Sequence, residues 1–414
     1  MNLILAIGII IVVGFLGGLA LEKLKLPRIT GYIIIGVLLS PSLLNIIPAE
    51  TVGDLDVITE ITLGFVAYLI GGSLKIESLR GLSKSIAWIV PFEALGAWLL
   101  VTLALVFLGH LIIPNEAFWH TYFPMAVIIG AISCATAPAA TMAVVSELRA
   151  KGPLTTTLLA VVALDDAIAV IIFAIALGIS QPLVNGTGIS AYQMVALPVI
   201  QIVGSVAIGV AFAFALVYIS KLVKTRELLL VIVFGMVMLC AGIASHLGIS
   251  SILANMVVGF IVVNKTKRKE MFLVIEEIED VLYTMFFVLA GLHFDLGVLK
   301  ISGMLALVLV LARYTGKYTG ARIGAKISHA SDSVRKYLGL ALLPQAGIAI
   351  GLSLLAAIEF PTFGAILLNG VLAAVIINEL VTPPLTKYAL VKAGEVRVDV
   401  LEKKQDDSES HTSS

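Results

Sequence analysis

Runs of about twenty apolar residues recur along nearly the whole chain, from Leu3 to Leu390, with short polar segments between them. Such a run crosses the ~30 Å hydrocarbon layer of a bilayer, where each backbone N–H and C=O needs a partner inside the protein. A helix meets that demand segment by segment. Hydrophobic residues make up 59% of the sequence and charged residues only 13%, with mean hydropathy +1.08. Soluble domains carry about twice that charge. The fold class expected is therefore an all-α polytopic membrane protein.

About thirteen spans are expected, at 2–21, 29–47, 57–73, 85–113, 121–146, 153–179, 191–220, 228–246, 248–264, 271–292, 297–321, 336–358 and 363–391. Lys and Arg collect in cytoplasmic loops, and here they alternate. Lys23, Lys25 and Arg28 follow the first span, Lys75, Arg80 and Lys84 the third, and Arg149 and Lys151 the fifth. Lys221, Lys224 and Arg226 follow the seventh, Lys265, Lys267, Arg268 and Lys269 the ninth, and Arg322, Lys326, Arg335 and Lys336 the eleventh. The loops between are free of both except for Lys300. This places the N-terminus outside and the C-terminus in the cytoplasm of a multi-pass cell-membrane protein. The N-terminus reads as a first span, since no basic region or cleavage site accompanies it. Residues 393–414 read as a short disordered cytoplasmic tail.

Net charge is zero, so no basic patch invites nucleic acid. Cys134 and Cys240 lie in apolar runs and read as buried packing residues; no cofactor or thiolate metal site is expected.

Asp165 and Asp166 stand mid-way along the sixth span, where packing asks for no charge. A carboxylate at bilayer depth costs at least about 2.5 kcal/mol, which makes the pair the first functional candidate. Neighbouring helical residues point about 100° apart, so one aspartate can face a cavity and the other the adjoining helices. Two such groups out of bulk water repel each other, and one proton or one alkali cation relieves them. Mutually exclusive occupancy would couple two fluxes.

Two spans are interrupted. Ser133, Cys134, Ala135, Thr136, Ala137 and Pro138 break the fifth, and Leu343, Pro344, Gln345, Ala346 and Gly347 the twelfth. Proline removes a helical hydrogen bond, so backbone groups at membrane depth must find protein, water or an ion. One such break in each half of the chain points to a transporter with inverted repeats and a midplane site, although plain proline kinks have the same local pattern. Arg313 and Lys317, one turn apart in the eleventh span, can pair with a site aspartate or offset the negative C-terminal ends of the broken helices; Lys317 can also snorkel to the inner boundary. Glu93 and Glu379 read as structural partners or cavity-lining groups, and Glu60 as reaching water. The acidic run Glu276, Glu277, Glu279 and Asp280 reads as the wet face of an interfacial helix, with an anionic funnel as the alternative.

The order of several motifs resembles the monovalent cation:proton antiporter superfamily, in the branch holding Asp-Asp sodium/proton antiporters and Kef-type potassium efflux systems. The residues that carry the likeness are Leu26-Pro27, Gly31-Tyr32, Gly36, Ser40-Pro41-Ser42, Thr136-Ala137-Pro138, Leu164-Asp165-Asp166, Phe286 to Leu292, and Gly339-Leu340 through Gly351. The resemblance implies thirteen helices with two crossed broken ones. It also implies core helices about 57–179 and 271–358, dimerisation helices about 2–47 and 191–264, and a homodimer. Asp166 then resembles the principal cation and proton carboxylate, Asp165 its partner and Thr136 the unwound-helix residue beside the ion. Ser133, Pro138, Arg313, Lys317 and Gln345 support them. Arg313 stands where Asp-Asp members carry a lysine. The expected function is antiport of Na⁺ (K⁺ or Li⁺ being alternatives) against H⁺, and not an enzyme's. Its competitors are a Kef-type K⁺/H⁺ exchanger, disfavoured because no nucleotide-binding domain is attached to this sequence, and a gated cation channel.

Overall fold

The computed structural model describes residues 1–396 apart from 24–27, 75, 78–83, 113–116, 185–190, 267, 269, 296 and 298. Among the described residues all regular structure is helical. Lys25, Lys75, Arg80, Lys267, Lys269 and the tail from 397 lie outside them.

The helices run α1 (Leu3–Lys23), α2 (Arg28–Leu39), α3 (Ala49–Asp54), α4 (Asp56–Ser73) and α5 (Lys84–Ile112). A π-helical turn (Phe118–Tyr122) leads into α6 (Phe123–Ile132), followed by α7 (Pro138–Glu147), α8 (Pro153–Val184), α9 (Ala191–Ser220), α10 (Arg226–His246) and α11 (Ser251–Lys265). Then come α12 (Glu270–Leu292), α13 (Leu299–Ile327), α14 (Asp332–Ala341), α15 (Gly347–Glu359) and α16 (Pro361–Lys392). Among the described residues, seven helical stretches are long and apolar enough to cross a membrane by length and composition.

The expected interruptions fall at 133–137, between α6 and α7, and at 342–346, between α14 and α15. Each broken pair sits between two long helices, and the lengths repeat. The preceding helices, α5 and α13, have 29 residues each. The first half-helices, α6 and α14, have 10 each, and the following helices, α8 and α16, 32 each. The second half-helices, α7 and α15, differ, with 10 and 13 residues.

Packing divides the helices into two groups. α13 lies along α5 and against α14 and α16, while α6 and α14 both touch α8. The other group joins α4 to α11, α12 to α2 and α1, and α9 and α10 to α11. The segments at 57–73 and 271–292, expected with the core, therefore pack chiefly with the second group. Residue 361 onward joins the first. Close approach of α12 and α2 depends on Gly36 and Gly291, since a Cβ at either would overlap the other helix's backbone.

Residues 393–396 were expected in the disordered tail, but they form a turn on the end of α8. The Glu395 carboxylate accepts from Leu154 N at 2.6 Å, Thr155 N at 2.7 Å and Thr155 Oγ1 at 2.7 Å, and the Glu395 carbonyl accepts from Lys151 N. A buried acceptor at a helix start satisfies N–H groups that the helix itself leaves open.

Candidate ion-binding site

The two breaks meet. Ala137 N donates to the Pro344 carbonyl at 2.9 Å, and Gln345 Nε2 donates to the Ile132 carbonyl at 3.2 Å. Asn378 of α16 holds the other end of the Gln345 amide at 3.2 Å. At the meeting point α6 and α14 end, each leaving carbonyls whose partial negative charge needs a donor.

Arg313 supplies it. Its buried guanidinium donates to the carbonyls of Ser133 (2.9 Å), Leu343 (2.6 Å), Ala135 (2.7 Å) and Pro344 (3.4 Å), taking two from each break. A planar fork with five donors suits that task better than a single ammonium. Ser133 turns its own hydroxyl back to the Ile129 carbonyl at 2.7 Å. Pro138 opens α7, where a residue without an N–H costs nothing; its side chain lies outside those described.

One turn after Arg313, Lys317 is fully buried. Its Nζ donates to Glu93 Oε2 at 2.7 Å, to Asp165 Oδ2 at 2.8 Å and to Thr136 Oγ1 at 2.7 Å. The Thr136 hydroxyl in turn donates to Asp165 Oδ2 at 2.5 Å. All three ammonium protons are used, and two carboxylates share one cation. Asp165 Oδ1 and Glu93 Oε1 stay buried without a hydrogen-bond partner among the described residues.

Asp166 points the other way, as the 100° step predicts. It lines a cavity of about 430 Å³ with Ala137 and Ala346 from the two breaks and with Tyr283 and Glu279 of α12. A second cavity, of about 260 Å³, shares Leu69 and Glu279 with the first and adds Glu276. The acidic run on α12 is therefore split. Glu276 and Glu279 face these cavities, whereas Glu277 pairs with Arg226 on the surface at 2.6 Å. Expecting the run to be one solvated face was wrong for Glu279.

The two bases of α13 have separate partners. The base that reaches Asp165 is Lys317, whereas Arg313 bonds to the carbonyls of the breaks; the four-residue step equals about one helical turn, so both point to the same face and depth separates them. Against expectation, Lys317 does not snorkel. Glu93, expected as a structural partner or cavity-lining group, enters the same network through α5; the signal in the sequence was an acid inside one apolar span and two bases inside another. Glu379 is buried beside the second break and away from the cavity, and Glu60 is exposed. Cys134 and Cys240 are free and buried.

Residues 7–388 match the transmembrane sodium/hydrogen exchanger family. The chain belongs to that family. Among curated exchanger relatives, the Na⁺/H⁺ antiporter NhaP of Pseudomonas aeruginosa is 26% identical over 239 residues, covering 55% of this chain and 54% of that protein. The chain thus spans about half the length of that relative. The Na⁺/H⁺ antiporter NhaS4 of Synechocystis is 27% identical over 319 residues, covering 72% of this chain and 75% of that one. The sodium proton antiporter MjNhaP1 of Methanocaldococcus jannaschii shares the fold, with a TM-score of 0.77 at 20% identity over 94% of this chain and 98% of that one. By family and fold, this sodium/hydrogen exchanger relative is a multi-pass membrane transporter.

Proposed function

We propose that this chain exchanges Na⁺ for H⁺ as a secondary antiporter, with Asp166 as the group that holds one or the other. The observation that carries the reading is the placement of Asp166: it borders an accessible cavity between two unwound segments while Asp165, beside it, is held by Lys317 and Thr136. A carboxylate in that position binds a proton or an alkali cation, one at a time. The unpartnered Asp165 Oδ1 is a second oxygen within the same pair. Glu279 and Glu276 add negative charge along the cavities and raise the local cation concentration. The names of NhaP and NhaS4 favour Na⁺ over K⁺.

In this reading α5 to α8 and α13 to α16 form the transport core and move against α1, α2, α4 and α9 to α12. Exposed apolar residues such as Val203, Phe214, Val231 and Leu239 on α9 and α10 supply a surface for a homodimer or for lipid. The cavity-lining parts of α4 and α12 lie toward the basic loops, so the conformation is read as open to the cytoplasm, with the N-terminus outside.

Proteoliposomes containing a pH dye test the proposal. Na⁺ added to vesicles with a preset proton gradient is expected to dissipate it, and Asp166→Asn to abolish the response. Parallel additions of K⁺ and Li⁺ identify the preferred cation. Silence to all three under any gradient overturns antiport, and a cation current without proton movement favours a channel.

A further inference from the structure

The geometry points to Thr59 and Thr62 of α4 as the outer half of the cation's path, a hydroxyl-lined wall that Asp166 faces once the core has moved outward. This rests on the antiport reading above. Three residues of α4, Val66, Leu69 and Ile70, line the cavity that Asp166 borders. Thr62 and Thr59 come four and seven residues before Val66, and at about 100° per residue both return to the same face of the helix. One stripe of α4 therefore runs from the cavity toward the outer end of the helix. It is apolar where it meets the cavity and hydroxylated beyond it.

Packing alone gives no reason for the two hydroxyls. Thr59 and Thr62 are buried, and neither Oγ1 has a hydrogen-bond partner among the described residues, the carbonyls of its own helix included. A buried hydroxyl in that position costs stability that a valine of the same shape does not. Its oxygen is, however, a hard ligand of the kind that replaces water around a small cation. The two threonines also stand on the wall that the core slides against. α4 packs chiefly with the second group of helices, whereas α8 and α15, which lie on it, belong to the core. Beyond the cavity that contact is tight, since a Cβ added to Gly351 of α15 would stand 2.1 Å from Leu63 Cδ2, and the outer half of the stripe is closed in this conformation. Thr62 and Thr59 lie about 6 and 10 Å past Val66 at about 1.5 Å per residue, so a shift of the core by roughly one to two turns carries Asp166 from the apolar residues to the hydroxyls. On the inner side Glu279 and Tyr283 supply the polar atoms of the wall facing Asp166. On the outer side the threonines take that part.

Na⁺ dependence measured from each side reads this directly. Right-side-out vesicles present added Na⁺ to the outer face of the protein, and everted vesicles present it to the cytoplasmic face. Thr59→Val combined with Thr62→Val is expected to raise the half-saturating Na⁺ concentration at least tenfold at the outer face and to leave the cytoplasmic value unchanged, without lowering Tm. Thr59→Ser and Thr62→Ser keep the oxygen and are expected to match the wild type. An unchanged outer value in the double variant overturns the proposal, as does an equal change on both faces or the same loss in the serine variants. Thr62→Cys guards against a double variant that does not fold, with the buried Cys134 and Cys240 left in place. A membrane-impermeant cationic thiol reagent is expected to label it from the outer face in the presence of Na⁺ and not from the cytoplasmic face. Labelling from the cytoplasmic face, or from neither, overturns the outer path. A wild type with no Na⁺-evoked proton flux overturns the antiport reading instead, and the labelling then decides the outer path by itself.

Discussion

Gly320 of α13 lies so near Glu93 of α5 that a Cβ added to it would stand 2.8 Å from the Glu93 Cα. It would also overlap the Phe92 carbonyl oxygen. A Cβ added to Gly316, beside Lys317, would likewise stand 2.8 Å from the Ala97 Cα. The buried pair between Lys317 and Glu93 therefore exists because two backbones touch.

Gly320→Ala is expected to push α13 from α5 and lengthen that ion pair. Overpacking of this kind costs about 1–3 kcal/mol. The change should appear as a lower Tm in detergent together with lost transport. An unchanged Tm would show that the two helices yield more easily than their contact implies.

Arg313→Lys is expected to behave as a severe change. One ammonium has three protons and no fixed fork, so it cannot serve four carbonyls drawn from two chain segments. Leaving one buried carbonyl unpaired costs about 1–3 kcal/mol. Reduced Tm and increased hydrogen exchange at 133–137 and 342–346 are the expected readouts, and unaltered exchange in both segments would count against the arginine's bracing role.

Glu395→Ala removes the acceptor from Leu154 N, Thr155 N and Thr155 Oγ1 at the start of α8. Loss of a buried cap is worth about 1–2 kcal/mol. Glu395→Gln keeps one carbonyl oxygen and should fall between wild type and alanine in Tm. Truncation after residue 396 should spare the cap, whereas truncation before residue 395 should remove it.

His293, in the turn after α12, sets its Nε2 3.0 Å from Asp56 Oδ1 and its Nδ1 2.9 Å from the Leu289 carbonyl. Burial opposes the imidazolium, but the bonds to Asp56 and Leu289 outweigh it and hold the group above its ordinary value. A raised folded value means that this stabilisation is complete below the unfolded value of about 6.5 and fades as pH rises through the folded one. The Tm difference between wild type and Asp56→Asn is thus expected to be largest on the acid side and to close toward alkaline pH. A difference that widens with pH would reverse the sign of the argument.

Much of the site was readable from residue types and spacing. Asp165 and Asp166 stood out because charge is expensive in an apolar run, and their opposite orientations followed from helical geometry. The two breaks followed from Pro138 and Pro344. What spacing could not assign was which base serves which partner, since Arg313 and Lys317 share a face and differ only in depth. Nor could it couple Glu93 to Lys317, because the two are 224 residues apart and their meeting depends on glycine contacts between distant helices. The cost of burying charge in lipid acts on each segment alone, and for that reason the sequence by itself determined a helical membrane protein with a carboxylate pair between two broken helices. The pairing of buried charges depends on distances of a few ångströms across separate helices, and only the tertiary structure decided that Lys317 would be shared by Asp165 and Glu93 while Arg313 bound the two breaks together.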